Sequence, residues 1–159
     1  MNMEQLEQQI RVLEDIEEIK QLQAQYVNSL LLAQYEDMFD CFSKDGVLDL
    51  HAGRAEGREQ MRKLFDERLK YSHIGQEGEF AVHPIITVDG DKAKGSWLHY
   101  IQFAQPRKLI QKPGLLEREN APDWLQGYYE AEYIRENSKW KISFLKWRCR
   151  LMSPMEEAT

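Results

Sequence analysis

The sequence predicts an α+β fold in which a long N-terminal helix closes over a curved antiparallel sheet and encloses one apolar pocket. Three observations predict it. Helical periodicity fills the first half of the chain, and extended segments joined by short turns fill the second. The 159 residues suffice for one core but hardly for two domains. Helices first and strands second separates this pattern from the alternation of a parallel βαβ sheet.

From 6 to 33, Leu6, Ile10, Leu13, Ile16, Ile19, Leu22, Tyr26 and Leu30 recur three or four residues apart, which marks one face of a helix. Charges fill the other face. The stripe reads as a helix packed on a core rather than a coiled coil, because a sheet follows for it to pack on. Its first ten residues are expected to project as an oligomer contact. A second helix, 34 to 42, carries Tyr35, Met38, Phe39 and Phe42 and is expected to stop at Ser43-Lys44-Asp45-Gly46, with Gly46 as the left-handed terminator. Val47, Leu48 and Leu50 give a short strand. Gly57 precedes a third helix whose buried stripe is Met61, Leu64, Phe65 and Leu69.

The pattern then becomes extended. Segments 80 to 88 and 94 to 103 flank Asp89-Gly90-Asp91, and segments 125 to 136 and 140 to 151 flank Asn137-Ser138, two hairpin signals. Between the hairpins, 104 to 123 holds Pro106, Pro113, Gly114 and Pro122 and reads as a long surface loop, a lid or an oligomer arm.

Composition excludes several functions. With 42% hydrophobic and 30% charged residues the chain is neither disordered nor membrane-spanning. The N-terminal segment is too charged for a secretory signal and too acidic for a transit peptide, so a cytoplasmic location is expected. The net charge of −6 is scattered, and no Lys/Arg cluster interleaves with aromatics, which argues against nucleic acid and points to solubility. Cys41 and Cys149 form no CxxC and read as buried thiols. No HExxH, nucleophile elbow, phosphate loop or dinucleotide glycine motif is present, so neither metal nor cofactor is expected.

The segments IKQLQAQYVNSLLLAQYEDMFDCFSKDGVLDL, GRAEGREQMRKLF, HPIITVDGDKAKGSWLHY and LQGYYEAEYIRENSKWKISFLKWR, in this order, resemble the SnoaL-like family of the nuclear transport factor 2 superfamily. The resemblance implies a cone-shaped, cystatin-like roll with a deep pocket, often oligomeric. Relatives include dehydratases, isomerases, polyketide cyclases and proteins of no known activity. In the dehydratase-like members, of the bile acid dehydratase and scytalone dehydratase type, it implies a Tyr on the first helix, an Asp five residues later, a His entering the first hairpin strand and sometimes an Asp on the next strand. Tyr26 matches the first; Leu31, Glu79 and Ile101 stand where the others are expected.

Alternation along the second hairpin strand puts Gly95, Trp97, His99 and Ile101 on one inward face. On the preceding strand it groups Glu79, Ala81, His83, Ile85 and Thr87, unless Pro84 marks a bulge. A catalytic reading makes His99 the acid–base group, Glu79 or His83 its partner and Tyr26 a donor to a substrate oxygen. The plainer reading leaves His99 and Tyr26 as hydrogen-bonded core residues and Glu79 in solvent. Trp97, Tyr129 and Tyr133, with Leu31 and Ile101, are expected to line the pocket. A metal triad of His83, His99 and Glu79 is the least favoured arrangement. His51 and His73 are expected at the surface.

Three functions follow from these readings: a cofactor-independent lyase (dehydratase) or isomerase on a small hydrophobic oxygenated substrate, a non-catalytic binding protein for such a molecule, or a structural subunit of a larger oxygenase. Leu98, Tyr100, Tyr128, Leu145 and Trp147 are expected to face outward and form a homodimer or homotrimer contact.

Overall fold

A computed structural model describes residues 2–69, 77–103 and 124–153. Helices α1 (Met3–Leu31) and α2 (Tyr35–Asp40) lead into strands β1 (Phe42–Leu50) and β2 (Gly53–Glu56), then helix α3 (Gly57–Leu64) continues as a π-helical turn, Phe65–Leu69. Strands β3 (Glu77–Asp89), β4 (Lys92–Phe103), β5 (Trp124–Glu136) and β6 (Lys139–Ser153) complete a six-stranded sheet of order β2-β1-β6-β5-β4-β3. All pairings are antiparallel except β1 with β6. The α+β layering is the one expected. The loop 104 to 123 and His73 lie outside the described residues.

Helix α1 starts earlier than its apolar stripe because Asn2 and Gln5 form a capping box: each side chain accepts the other's backbone N–H, at 2.8 and 3.0 Å. It ends where Ala33 turns left-handed at φ 55°. Its stripe is buried only from Ile19 onward; Met3, Leu6, Ile10 and Leu13 are exposed. Asp15 fastens the helix to the sheet by accepting from Trp140 Nε1 at 3.0 Å and from Arg135, whose guanidinium also lies over the Trp140 ring.

Two hairpins build the sheet's long strands. Asn137 and Ser138 both take positive φ (51° and 63°), which matches the twist of a two-residue hairpin turn, and Gly90 takes φ 58° in the other. Gly46, expected as a helix stop, is instead buried within β1. That strand shifts register between Phe42 and Val47, and a Cβ at Gly46 would lie 3.0 Å from the Ile142 carbonyl oxygen, so the glycine serves close approach. Strand β2, in the Gly-rich segment after His51, is too short for the alternation to reveal.

Bulges decide which residues face the helix. In β3 the register shifts between Val82 and Ile85, where His83 adopts φ 53°. Ile86 and Val88 therefore pack inward, whereas His83, Ile85 and Thr87, expected on the inner face, are exposed. In β6, Tyr133 pairs with Ile142 but Glu132 with Phe144, leaving Ser143 extra. Parity inverts there, so Leu145 and Trp147, expected outside, join Ile142 and Trp140 on the core side. Leu98, Tyr100 and Tyr128 remain on the outer face.

Candidate active site

The inner face of the sheet carries an unusual amount of polar chemistry for a core. Glu77 and Glu79 on β3, His99 on β4, and Gln23 and Ser29 on α1 are all buried. Diagonal neighbours across β3 and β4 bring Glu79 to His99, since Ala81 pairs with His99 and Glu79 with Ile101. His99 Nε2 stands 3.3 Å from Glu79 Oε2, with the two side chains 2% and 0% exposed. The contact has ion-pair distance without hydrogen-bond alignment, and His99 Nε2 has no hydrogen-bond partner.

The other face of the imidazole is tied. Trp147 Nε1 donates to His99 Nδ1 at 2.9 Å. Trp147 reaches it across Gly127, the β5 residue paired with both His99 and Cys149. A Cβ on Gly127 would fall 2.5 Å from Trp147 Nε1, so only glycine leaves room for the indole. His51, exposed as expected, steadies the far side: its ring meets Trp147 edge-on at 5.8 Å and its Nε2 accepts from the Cys149 N–H at 3.1 Å. An indole N–H can only donate, so Nδ1 is the acceptor and the neutral ring carries its proton on Nε2, beside Glu79.

Tyr129 stacks obliquely on His99 with centroids 4.6 Å apart, and Tyr26 meets Tyr129 edge-on at 6.0 Å. Their hydroxyls are hydrogen-bonded to each other. Burial foremost, then the Glu79 charge, pushes the Tyr26 phenol far above its ordinary range; burial, then Tyr26 and Glu79, does the same to Tyr129. Both therefore stay protonated and act only as neutral hydroxyls.

Beside this group lies a relay. Trp97 Nε1 donates to the Tyr133 hydroxyl at 2.9 Å, which donates to Gln23 Oε1 at 2.9 Å, while Gln23 Nε2 has no partner. Leaving a buried donor unmet costs about 1–3 kcal/mol. Two such donors on one inner face are the kind of deficit that functional sites carry.

Of the residues singled out from sequence, Tyr26, Glu79, His99, Tyr129, Trp97, Tyr133 and Ile101 share the inner face, all buried. Leu31 is half-buried at the last turn of α1. His83 is the correction: the bulge at Pro84 turns it to solvent, away from Glu79 and His99. Among the described residues no group of three His, Cys, Asp or Glu is placed to hold a metal ion, which also separates His83 from the suggested triad. Trp147, Gln23 and Glu77 were missed. Gln23 lies four residues after Ile19 and three before Tyr26, so helical spacing alone marked it as buried. Surface hollows of about 620 and 350 Å³ sit on the opposite face of the sheet, around Lys94 and Glu132 and around Phe80 and Trp124.

The sequence from 11 to 146 matches the family model described as a SnoaL-like domain. The chain belongs to the SnoaL-like family. No curated protein matches it in sequence at a significant level. Solved structures match in fold. A nuclear transport factor 2-like protein with a cystatin-like fold from Novosphingobium aromaticivorans is 18% identical over 99% of this chain and 93% of its own, with a TM-score of 0.73. A hexachlorocyclohexane dehydrochlorinase of the LinA type from Novosphingobium barchaimii is 17% identical over 91% and 92%, with a TM-score of 0.72. A Mycobacterium tuberculosis protein of unknown function is 20% identical over 91% and 74%, with a TM-score of 0.68. At these identities the likeness is one of fold, and it agrees with the cystatin-like roll that the SnoaL-like resemblance implied. No helix among the described residues is long and apolar enough to cross a membrane.

Proposed function

We propose that this SnoaL-like protein is a cofactor-independent lyase of the dehydratase kind, or an isomerase, acting on a small hydrophobic oxygenated molecule with Glu79 as the proton carrier. The observation that carries this reading is the buried Glu79–His99 pair whose imidazole is already engaged at Nδ1 by Trp147. A second proton on His99 would have to sit on Nδ1, against the indole N–H. His99 is thus a donor through Nε2–H rather than the base, and the base is the carboxylate beside it.

The step balances on one carboxyl. Glu79 removes a proton from the carbon next to a substrate carbonyl while His99 Nε2–H and a tyrosine hydroxyl stabilise the charge gathering on oxygen. Returning that proton to another carbon completes an isomerisation. Delivering it to a departing hydroxyl as the carbon–oxygen bond breaks completes a dehydration and releases water. That the fold hosts a hexachlorocyclohexane dehydrochlorinase is consistent with elimination chemistry.

The test is a panel of β-hydroxy ketones and β,γ-unsaturated ketones followed by the absorbance of the conjugated enone. Glu79→Gln is expected to lower kcat/KM by about 10²–10⁴-fold, the range of general acid–base catalysis. His99→Gln, which retains a donor but not the ring, should lose less. Turnover unchanged in Glu79→Gln removes the assignment. A second reading, a binding protein without turnover, is favoured by the aliphatic Leu31 and Ile101 at positions where the resemblance implies carboxylates; ketones that bind the wild type but never react would support it.

A further inference from the structure

Gln23 carries the second unmet donor, and its direction is fixed. The residue is fully buried on α1, one turn before Tyr26. The Trp97 indole can only donate, so the Tyr133 oxygen accepts there and its single proton goes to Gln23 Oε1. Burial drives the Tyr133 phenol above its usual range, so that proton is never lost. Turning the amide round would leave the Tyr133 proton without an acceptor, which settles the orientation of the amide. Gly95 makes the relay possible, because a Cβ there would lie 3.0 Å from the Tyr133 ring and 3.4 Å from Trp97 Nε1. Three side chains and a glycine thus hold one NH2 group pointing away from Tyr133, buried, with no protein acceptor.

We propose that the Gln23 amide anchors a second oxygen of the ligand, one that only accepts: a ketone, lactone or ether oxygen. Trp97, which orients the relay, and His99 are alternate residues of β4, so both polar stations are served by one strand. The ligand is then a compact apolar frame carrying two oxygens, one for each station. A hydroxyl or enolisable carbonyl lies at Glu79 and His99, and an acceptor lies at Gln23. The first oxygen rests on the function proposed above; the second rests on the relay alone.

The experiment compares phthalan with indane, the same frame with a CH2 group in place of the ether oxygen, on the 159-residue chain labelled with ¹⁵N. Phthalan has no enolisable carbonyl to occupy the Glu79 station; it should bind about tenfold more tightly than indane, the worth of one good hydrogen bond, and shift the Gln23 side-chain NH2 signals. Gln23→Leu and Gln23→Met should erase the preference, and Tyr133→Phe should weaken it by releasing the amide. Glu79→Gln should keep it, which separates this anchor from the acid–base assignment. Gln23 signals unmoved by phthalan, a preference that survives in both Gln23 variants, or a bound water on the amide that phthalan fails to displace would each overturn the proposal. The wild-type shift decides even if a variant fails to fold.

Discussion

Trp147 is the residue on which the chemistry of the pair turns. Its indole fixes which nitrogen of His99 holds the proton, and it does so from a position that a neutral packing residue of similar shape would fill without that effect. Heteronuclear spectra of the free protein should therefore show His99 with a bare Nδ1 and a protonated Nε2. Trp147→Phe keeps an aromatic wall but removes the donor, and should let the other tautomer appear. Gly127→Ala keeps the indole but places a methyl group 2.5 Å from its nitrogen, so the same tautomer mixing is expected by a different route. A wild-type His99 protonated on Nδ1 would end the assignment of Glu79 as base, whatever the activity. Cys41 is uninvolved: burial pushes its thiol up to about 12, so it stays protonated. Cys149, expected to be equally buried, is only half so.

Elements were legible from the sequence where one period ran unbroken, and illegible where it slipped. The helical stripe of α1, the Asp89-Gly90 and Asn137-Ser138 turns and the inner row Trp97, His99, Ile101 follow from spacing alone. An alternating count carries no information about an inserted residue, however, and each bulge exchanges inside for outside for everything beyond it. That single cause misplaced His83 on β3 and Leu145 and Trp147 on β6, and with them half of the candidate site: the partner of His99 was legible, its tautomer lock was not. Burial of Glu79 was hidden for another reason, since β3 begins at Glu77, inside a polar stretch with no apolar residue to announce a strand. At this scale the closure of α1 on the sheet depends on Asp15, which answers both Trp140 Nε1 and Arg135. Asp15→Ala leaves the mostly buried Trp140 indole N–H without its acceptor, while Arg135 keeps Asp91 at 3.1 Å, and should cost about 1–3 kcal/mol, read as a lower denaturation midpoint with unchanged slope. Lys20→Ala, which loses only an exposed pair with Glu17, should fall within about 0.5 kcal/mol of wild type.

At the scale of the molecule, the outer face of the sheet carries apolar surface among the described residues. Single exposed apolar residues are ordinary, but apolar residues gathered on neighbouring strands are less so. Phe80, Tyr100, Gln126 and Leu151 are successive partners across β3, β4, β5 and β6, and Val82, Leu98 and Tyr128 form the next row of the outer face. Phe80 and Leu151 are 53% and 47% exposed. Every strand of that patch also positions the inner face, so a second copy packed on it would stiffen the backbone that holds Glu79 opposite His99. Self-association through this face is therefore expected, and light scattering after size exclusion should give a mass of two or three chains. Phe80→Lys with Leu151→Lys places two desolvated charges in the contact and should return a monomer with unchanged far-ultraviolet spectrum. Leu6→Glu with Ile10→Glu, on the exposed start of α1, should leave the assembly intact, because that turn belongs to the helix and not to the strand rows. A monomeric wild type, or an oligomer broken only by the α1 pair, would move the interface off the sheet and leave Glu79 and His99 aligned by the single chain alone.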